Sequence, residues 1–540
     1  MTDARALLKR FEKAKLRRNQ NWWNHMRECY EYAAPQRETF FHYTSGQKKN
    51  TDLFDNTAVM GVQKFASRMQ MDMVPPWQKW AMLALDDAMP DEMGEEEIDY
   101  DGETLTVNEA LERSTDTLFK YIHESNFDMK VYESMIDMSV STGILTEEFD
   151  VENDRLVFNA IPLPETFLEP GPMGGIDNFW REHEIQLDHV LRMWPRAKPS
   201  DKLKEQMDKY PQKKAVFVEA CLYLAVGKYR YSVIDKARKH TVLEEELESC
   251  PFIGFRSMVI PGEVYGRGVV MQNLPTIKTL NLISEFELTS GAISASGVWT
   301  GTTDGAFNPY TVQIAPGVVI PVHSNDQRNP TLRSLDTNFD FTFTQLKREE
   351  LVAELNKAFF ANPIGEMDDP TKTATELTMR RQMDLQDSGA FFARLFTELV
   401  NKVMERTIYL LSREGKIPPI SFESRQLKIK HTSPLAKAMD MEDVQNLNTA
   451  MEYTAGLLGP ESVQLQFKTE NYGAFVGKKL GVEPSMVRTA KERDEMTQKT
   501  AEVVNELGQA EAENAGANAG ANGAPASGST GAPVQIPQSI

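Results

Sequence analysis

The sequence predicts an α+β fold, mainly helical, and three observations predict it. Apolar residues recur at helical spacing in long stretches near both ends and in the middle of the chain. Between residues 145 and 260 the pattern changes to short runs rich in β-branched and aromatic residues. A length of 540 residues exceeds what one hydrophobic core serves, so two to four packed units are expected.

The first 85 residues read as helical. Leu7, Leu8, Phe11 and Leu16 fall near helical spacing, then Trp22, Trp23 and Met26, and, after a polar loop, Val59, Val62, Phe65 and Met69. Pro75 and Pro76 end this stretch, because proline lacks the amide proton and clashes with the preceding turn. The acidic run at 91–103 reads as a solvated loop, with Asp101-Gly102 a turn. Thr106 and Glu109 have capping-box spacing and open a helix running to about Ser125.

LTEEFDVENDRLVFNAI reads as a hairpin, and AVFVEACLYLAV, KYRYSVI and PFIGFRSMVI as further strands. Helix returns with Leu274, Ile277, Leu280, Ile283 and Phe286, Pro275 standing in its first turn. An insert of short strands follows, and then Phe343, Leu346, Leu351, Leu355 and Phe359 as inward candidates of another helix. Two helices flanking a small β insert form a stalk, or else belong to a globular core with a surface hairpin; pattern alone leaves both open. Thr373 and Glu376 again have capping-box spacing and open a long helix to Gly415, with Phe392, Leu395, Phe396, Leu399, Val403 and Leu410 on its stripe. Ser433 and Pro434 start a last helical block of about 434–507. From 508 onward the Ala/Gly/Asn-rich tail has too little apolar surface to offset its ordering entropy and is expected to be disordered.

Composition narrows the function. The net charge of −20 argues against tight, static binding of DNA over a broad surface, since phosphate neutralisation needs a basic surplus. Cys29, Cys221 and Cys250 are too few and scattered for a disulfide framework, which suits a reducing compartment. No run of about 18 apolar residues exists and the amino terminus is charged, so direct membrane insertion is not expected.

Enzyme signatures fail one by one. In HEIQLDH the zinc-protease spacing requires His at 187, where Leu stands, and a surface helix is the better reading. GAFVGKK is one residue short of a phosphate loop, and Lys479 occupies the magnesium-binding hydroxyl's place. Gly266 and Gly268 lack the third glycine of a dinucleotide fingerprint. A metal-dependent nuclease using the 91–103 carboxylates with His123 or His183 is one alternative, and an adaptor or scaffold protein another. No catalytic residue, metal site or cofactor is assigned.

Four strings carry a family resemblance: YEYAAPQRETF with LFDNTAV and VPPWQKWAML near the amino terminus; PGEVYGRGVVMQNLPTIKTLN at 261–281; DPTKTATELTMRRQ at 369–382; and REGKIPPI followed by HTSPLAKAMDMEDV. In these the chain resembles the portal, or head-to-tail connector, proteins of short-tailed bacteriophages. Position 269 is Val where many relatives have Pro, and the tail follows no family pattern.

The resemblance implies a portal fold with wing, two-helix stem, β-containing clip and helical crown, assembled as a ring, usually a dodecamer. The wing would take 1–265, helical and then mixed; the stem helices 266–295 and 338–360; and the clip 296–337. The tunnel loop would be 361–373, the long wing helix 374–414, the crown 415–507 and the tail 508–540. Implied partners are further copies of the chain, double-stranded DNA passing through the channel, the terminase large subunit, the major capsid protein and scaffold, and tail adaptor or nozzle proteins. The implied site is the virion's portal vertex, reached from the host cytoplasm. Lys347, Arg348, Lys357 and Lys372 are the basic candidates for rings facing DNA, although Glu349, Glu350 and Glu354 lie alongside for ordinary helix-surface pairing. Val312, Ile314, Val318, Val319 and Ile320 are too few for an independent core and are candidates for closing the ring against a neighbouring clip.

Overall fold

The computed structural model describes residues 4–37, 52–85, 97–100, 103–296, 298–301, 332–335, 341–360, 392–418, 427–469 and 472–480, with a few isolated positions besides. The chain divides into two compact units, residues 1–442 and 443–540.

Unit 1 opens with α1 (Ala4–Asn21), α2 (Trp23–Ala33) and α3 (Thr57–Met73). Leu7, Leu8, Phe11 and Ala14 of α1 are buried, but Leu16 is exposed and lies off the packed face. The helical reading fails at the end of this block. Residues Ala81–Leu85 form a strand, β1, paired antiparallel with Leu427–His431 from the far end of the unit. The acidic run also differs from the expected loop, since β2 (Glu97–Tyr100) pairs with β3 (Glu103–Thr106) across a two-residue connection. Thr106 then caps α4 (Val107–Glu124): its hydroxyl accepts from Glu109 N at 3.3 Å, and Glu109 Oε2 accepts from Thr106 N at 2.9 Å.

α5 (Phe127–Val140) leads into the β4–β5 hairpin (Thr142–Asp150, Arg155–Ala160), in which Phe149 pairs with Leu156. A five-stranded antiparallel sheet follows, of β6 (Thr166–Pro170), β7 (Ile176–Gln186), β8 (Lys214–Ala225), β9 (Lys228–Asp235) and β10 (His240–Leu247), in spatial order β10-β9-β8-β7-β6. The helices α6 (Val190–Met193) and α7 (Asp201–Lys209) lie in the connection between β7 and β8. β11 (Phe252–Arg256) joins β4 and β5 in a three-stranded sheet.

The five-stranded sheet explains why β8, Glu219 apart, is apolar on both faces through its middle. Successive side chains point to opposite faces, and both faces are covered. Val218, Ala220 and Leu222 meet α1, where Phe11 packs edge-on to Phe167 at 5.1 Å, while Phe217 and Cys221 face the main core. His183, read from HEIQLDH as part of a surface helix, lies instead in β7, buried, with Nε2 2.7 Å from Glu219 Oε1. Glu219 also accepts from Tyr231 Oη at 2.5 Å. Two of the charges that make β7 look unlike a strand, Arg181 and His183, are thus partners of Glu219 on β8.

The long helix of unit 1 is described from Phe392 and carries a π turn at Phe396–Val400 before α-helix resumes at Asn401–Arg413. Glu398 in that turn accepts from Arg256 N at 3.0 Å and from its Nη2 at 2.6 Å, fastening the helix to β11. About two and a half turns further on, Thr407 contacts Glu147 of β4.

Glu147 is fully buried, and burial pushes its carboxyl up to about 8, against the pull of Thr407 and Arg406. Thr407 Oγ1 lies 2.6 Å from Glu147 Oε1 and 2.9 Å from Val403 O, yet has one proton to give. A protonated Glu147 resolves this: it donates to Thr407, and Thr407 donates to Val403. The folded state therefore holds a proton that the unfolded chain releases near its ordinary value of 4.5. That contribution to stability is complete below about pH 4.5 and lost as pH rises to about 8. Glu147→Gln should remove this slope, roughly 1.4 kcal/mol per pH unit while it lasts. Thermal midpoints of both proteins between pH 6 and 9 check it, and parallel curves would contradict the assignment.

Unit 2 is helical where described. Its first helix, Pro434–Leu458, begins within unit 1 and ends at Gly459. Pro460–Gln466 and Tyr472–Leu480 follow, and Tyr472 Oη donates to Asn448 Oδ1 at 2.6 Å. The glycine at 459 has φ +90°, a conformation that a side chain resists, so the helical block read across 434–507 is interrupted there. Residues 501–540, including all of the expected tail, lie outside the described residues.

Candidate functional site

The two helices expected on either side of the β insert are present. After the short turn of helix α8 (Val269–Gln272), α9 (Leu274–Ser296) runs 23 residues and α10 (Phe341–Ala358) 18 residues, roughly 34 and 27 Å of helix. Pro275 stands in the first turn of α9, where its missing amide proton costs nothing. The two helices pack on each other, and at their far ends β12 (Val298–Gly301) pairs antiparallel with β13 (Leu332–Leu335).

Packing along this pair is uneven. Near its base Leu274, Ile277 and Leu280 of α9 and Leu351, Leu355 and Phe359 around α10 are buried in the main core. Further out the inward readings of Phe286 and Leu346 fail, since these side chains are 58% and 67% exposed. Leu282 and Leu288 are exposed as well. The helical stripe is real, but among the described residues its fully buried apolar positions belong to the basal half.

Two rigid joints hold the base. The first is the segment Asp52–Thr57, which overlaps LFDNTAV. Asn281 of α9 accepts from Phe54 N at 2.8 Å and from Asp55 N at 3.2 Å, and donates to Asp52 O at 3.0 Å. Asp55 accepts from Thr57 N at 2.8 Å, and Ser284 Oγ lies 3.5 Å from its other oxygen. Asn281 thus accepts twice and donates once, so a polar helix face can be buried at little cost. Sequence reasoning missed Asn281, Ser284 and Asp55. The available signal was two polar residues, three apart, on the same face as Ile277 and Leu280.

The second joint is PGEVYGRGVV. Tyr265 is buried and its hydroxyl accepts from Leu168 N at 3.0 Å. Arg267 makes a forked pair with Glu263 at 2.7 and 2.8 Å. Gly266 and Gly268 press against the end of α5: a Cβ on Gly268 would lie 2.0 Å from Ser139 O, and one on Gly266 2.6 Å from Ser141 O. The glycines serve close backbone packing, which accounts for a GxG without any nucleotide fingerprint.

The basic candidates are distributed along α10. Lys347 is exposed and pairs with Glu350 at 2.7 Å. Arg348 lies 3.5 Å from Asp55 and 3.9 Å from Glu287, within the basal joint. Lys357 is exposed near the helix end. Lys372 and the clip candidates Val312, Ile314, Val318, Val319 and Ile320 lie outside the described residues. Among the described residues no group of three or more His, Cys, Asp or Glu side chains is placed to hold a metal ion, and no helix is long and apolar enough to cross a membrane.

The sequence matches the family described as bacteriophage head to tail connecting protein over residues 4–487. It is 19% identical over 511 residues to a probable portal protein of Bordetella phage BPP-1, covering 90% of this chain and 89% of that one. It is 21% identical over 504 residues to the portal protein of Enterobacteria phage T3, covering 91% and 89%. To the portal protein of Salmonella phage epsilon15 it is 22% identical over 508 residues, covering 87% and 84%. Among solved structures, a chain from the virion of a native gene transfer agent particle aligns over 75% of this chain and 87% of its own, at 12% identity and a TM-score of 0.33.

Proposed function

This chain belongs to the bacteriophage head to tail connecting protein family, and from that premise we propose that it forms a ring, a dodecamer, whose axial channel carries double-stranded DNA during packaging and ejection. As a phage portal protein it is a structural, non-enzymatic component of the virion, located at the head–tail junction.

In this reading α9 and α10 are the stem, the β12–β13 ladder is the root of the clip, and the elements before them form the wing. The crown, read from the sequence as 415–507, would in this reading begin with the helix at Pro434, since β14 (Leu427–His431) pairs with β1 inside unit 1. The observation that supports the reading best is the uneven stem. A helix pair locked at its base by Asn281 and Asp55, with Leu282, Phe286, Leu288 and Leu346 exposed further out, has the apolar surface that a neighbouring copy would cover.

Lys347, Arg348, Lys357 and Lys372 would each recur around a ring. A predominantly acidic protein with a few basic collars repels phosphate overall, and few contacts keep the salt-dependent grip weak enough for sliding. The driving force must then come from a partner, the terminase large subunit, docking on the clip. The capsid protein and scaffold would meet the wing side, and tail adaptor or nozzle proteins would replace the terminase after packaging.

Negative-stain electron microscopy of the purified protein, with mass determination on the same sample, tests the ring. Rings of about a dozen copies around an open channel are expected; a single-copy particle that persists at high concentration would overturn the assembly. Deletion of 296–337 should abolish the ring by removing Val312, Ile314, Val318, Val319 and Ile320. Gel filtration of the deletion variant showing intact rings would refute their closing role.

A further inference from the structure

The fold brings together two of the three cysteines that the sequence scatters. Cys221 lies in β8 on the face toward the main core, and Cys250 lies in the connection between β10 and β11. Their sulfurs are 3.1 Å apart, across 29 residues of chain. Cys221 is buried and Cys250 partly exposed. The connection that carries Cys250 is held in place on both sides: Arg406 donates to Ser249 O at 2.9 Å, and Glu147 N donates to Pro251 O at 3.1 Å.

From this placement we propose that Cys221 and Cys250 are a dithiol–disulfide site, reduced while the protein is made and oxidised by a small-molecule disulfide once the particle meets an oxidising medium. The exposed partner reacts first. The Cys250 thiolate attacks one sulfur of a disulfide of the oxidised-glutathione class, forming a mixed disulfide and releasing one thiolate. Cys221 then loses its proton and attacks Cys250 Sγ, closing the Cys221–Cys250 bond and expelling the second thiolate. The two protein thiols are oxidised, the reagent is reduced to two thiols, and the two protons lost from the protein end on them. Burial raises the Cys221 thiol well above its ordinary value, so the second step is the slower one. Cys29 stands apart: it is buried in α2, and burial pushes its thiol up to about 12.

The closed bond would tie β8 of the five-stranded sheet to the entry of β11 in the three-stranded sheet. It joins segments that only packing and hydrogen bonds now hold together, so the connection at 248–251 should open less often. The proposal is independent of ring formation.

The test uses the full chain incubated with oxidised glutathione near neutral pH, then alkylated in denaturant and mapped by peptide mass. Alkylatable thiols should fall from three to one, with a single linked pair of peptides carrying Cys221 and Cys250. Cys221→Ser should instead accumulate a glutathione adduct on Cys250, and Cys250→Ser should keep both remaining thiols alkylatable. Hydrogen exchange at 248–251 should slow on oxidation. A stable glutathione adduct in the unmodified protein, a bond to Cys29, or a covalent dimer through either cysteine would overturn the assignment.

Discussion

Gly268→Ala should destabilise the protein by about 3 kcal/mol or more and leave little soluble material with the stem in place. The added methyl would stand 2.0 Å from Ser139 O and 2.4 Å from Ser139 C, which are backbone atoms at the end of α5 and cannot swing aside. Relief requires moving either α5 or the α8–α9 junction, and the junction is fastened by Gly268 N donating to Val140 O at 3.1 Å and by Ser141 Oγ donating to Gly266 O at 2.8 Å. Backbone conformation is not the obstacle, since Gly268 has φ −70°. Gly291→Ala in α9 is the control. It has open space and should gain roughly 0.5–1 kcal/mol from helix propensity. Chemical denaturation of both variants reads the contrast directly, and similar midpoints would mean the close approach at Gly268 is not tight.

The second large effect belongs to Arg37, in YEYAAPQR. Asp137 of α5 is fully buried and accepts from Arg37 Nε at 2.9 Å, Arg37 Nη2 at 2.7 Å and Tyr30 Oη at 2.7 Å. Arg37→Met keeps much of the side chain's bulk but strips the carboxylate of its charge partner, a loss of about 3–5 kcal/mol for a buried pair. Asp137→Asn in the same protein removes the orphaned charge and should restore a good part of it. A single variant within 1 kcal/mol of the parent would show that water, or protonation of Asp137, already compensates for the arginine.

How much of this was legible depended on how local each cause was. The Thr106–Glu109 cap needs residues three apart, and it stands as read. The strands β8, β9 and β11 and the β4–β5 hairpin announce themselves by composition. β7 does not, because Arg181, His183 and Glu184 break its pattern and two of them answer to Glu219 on the neighbouring strand. β1 was invisible as a strand because its partner is a stretch near residue 430. The pair α9 and α10 was legible as two helices, but the stripe of apolar positions carried no information on where burial stops. Phe286 and Leu346 keep the helical spacing and lose the packing. The basal joint was hidden for a related reason: Asn281 and Asp55 look like ordinary polar residues until a 226-residue separation is closed.

The β1–β14 ladder also sets a timetable for the nascent chain. Ala81 waits for His431, so the sheet that these strands make cannot close until nearly all of unit 1 has left the ribosome. Contacts of such long sequence separation form late, after the costs of bringing the ends together have been met. Until then β1 offers an open edge that could recruit another strand. A fragment ending before residue 427 should therefore aggregate where the whole chain stays soluble, and subunits would become competent to meet one another only after synthesis is almost complete.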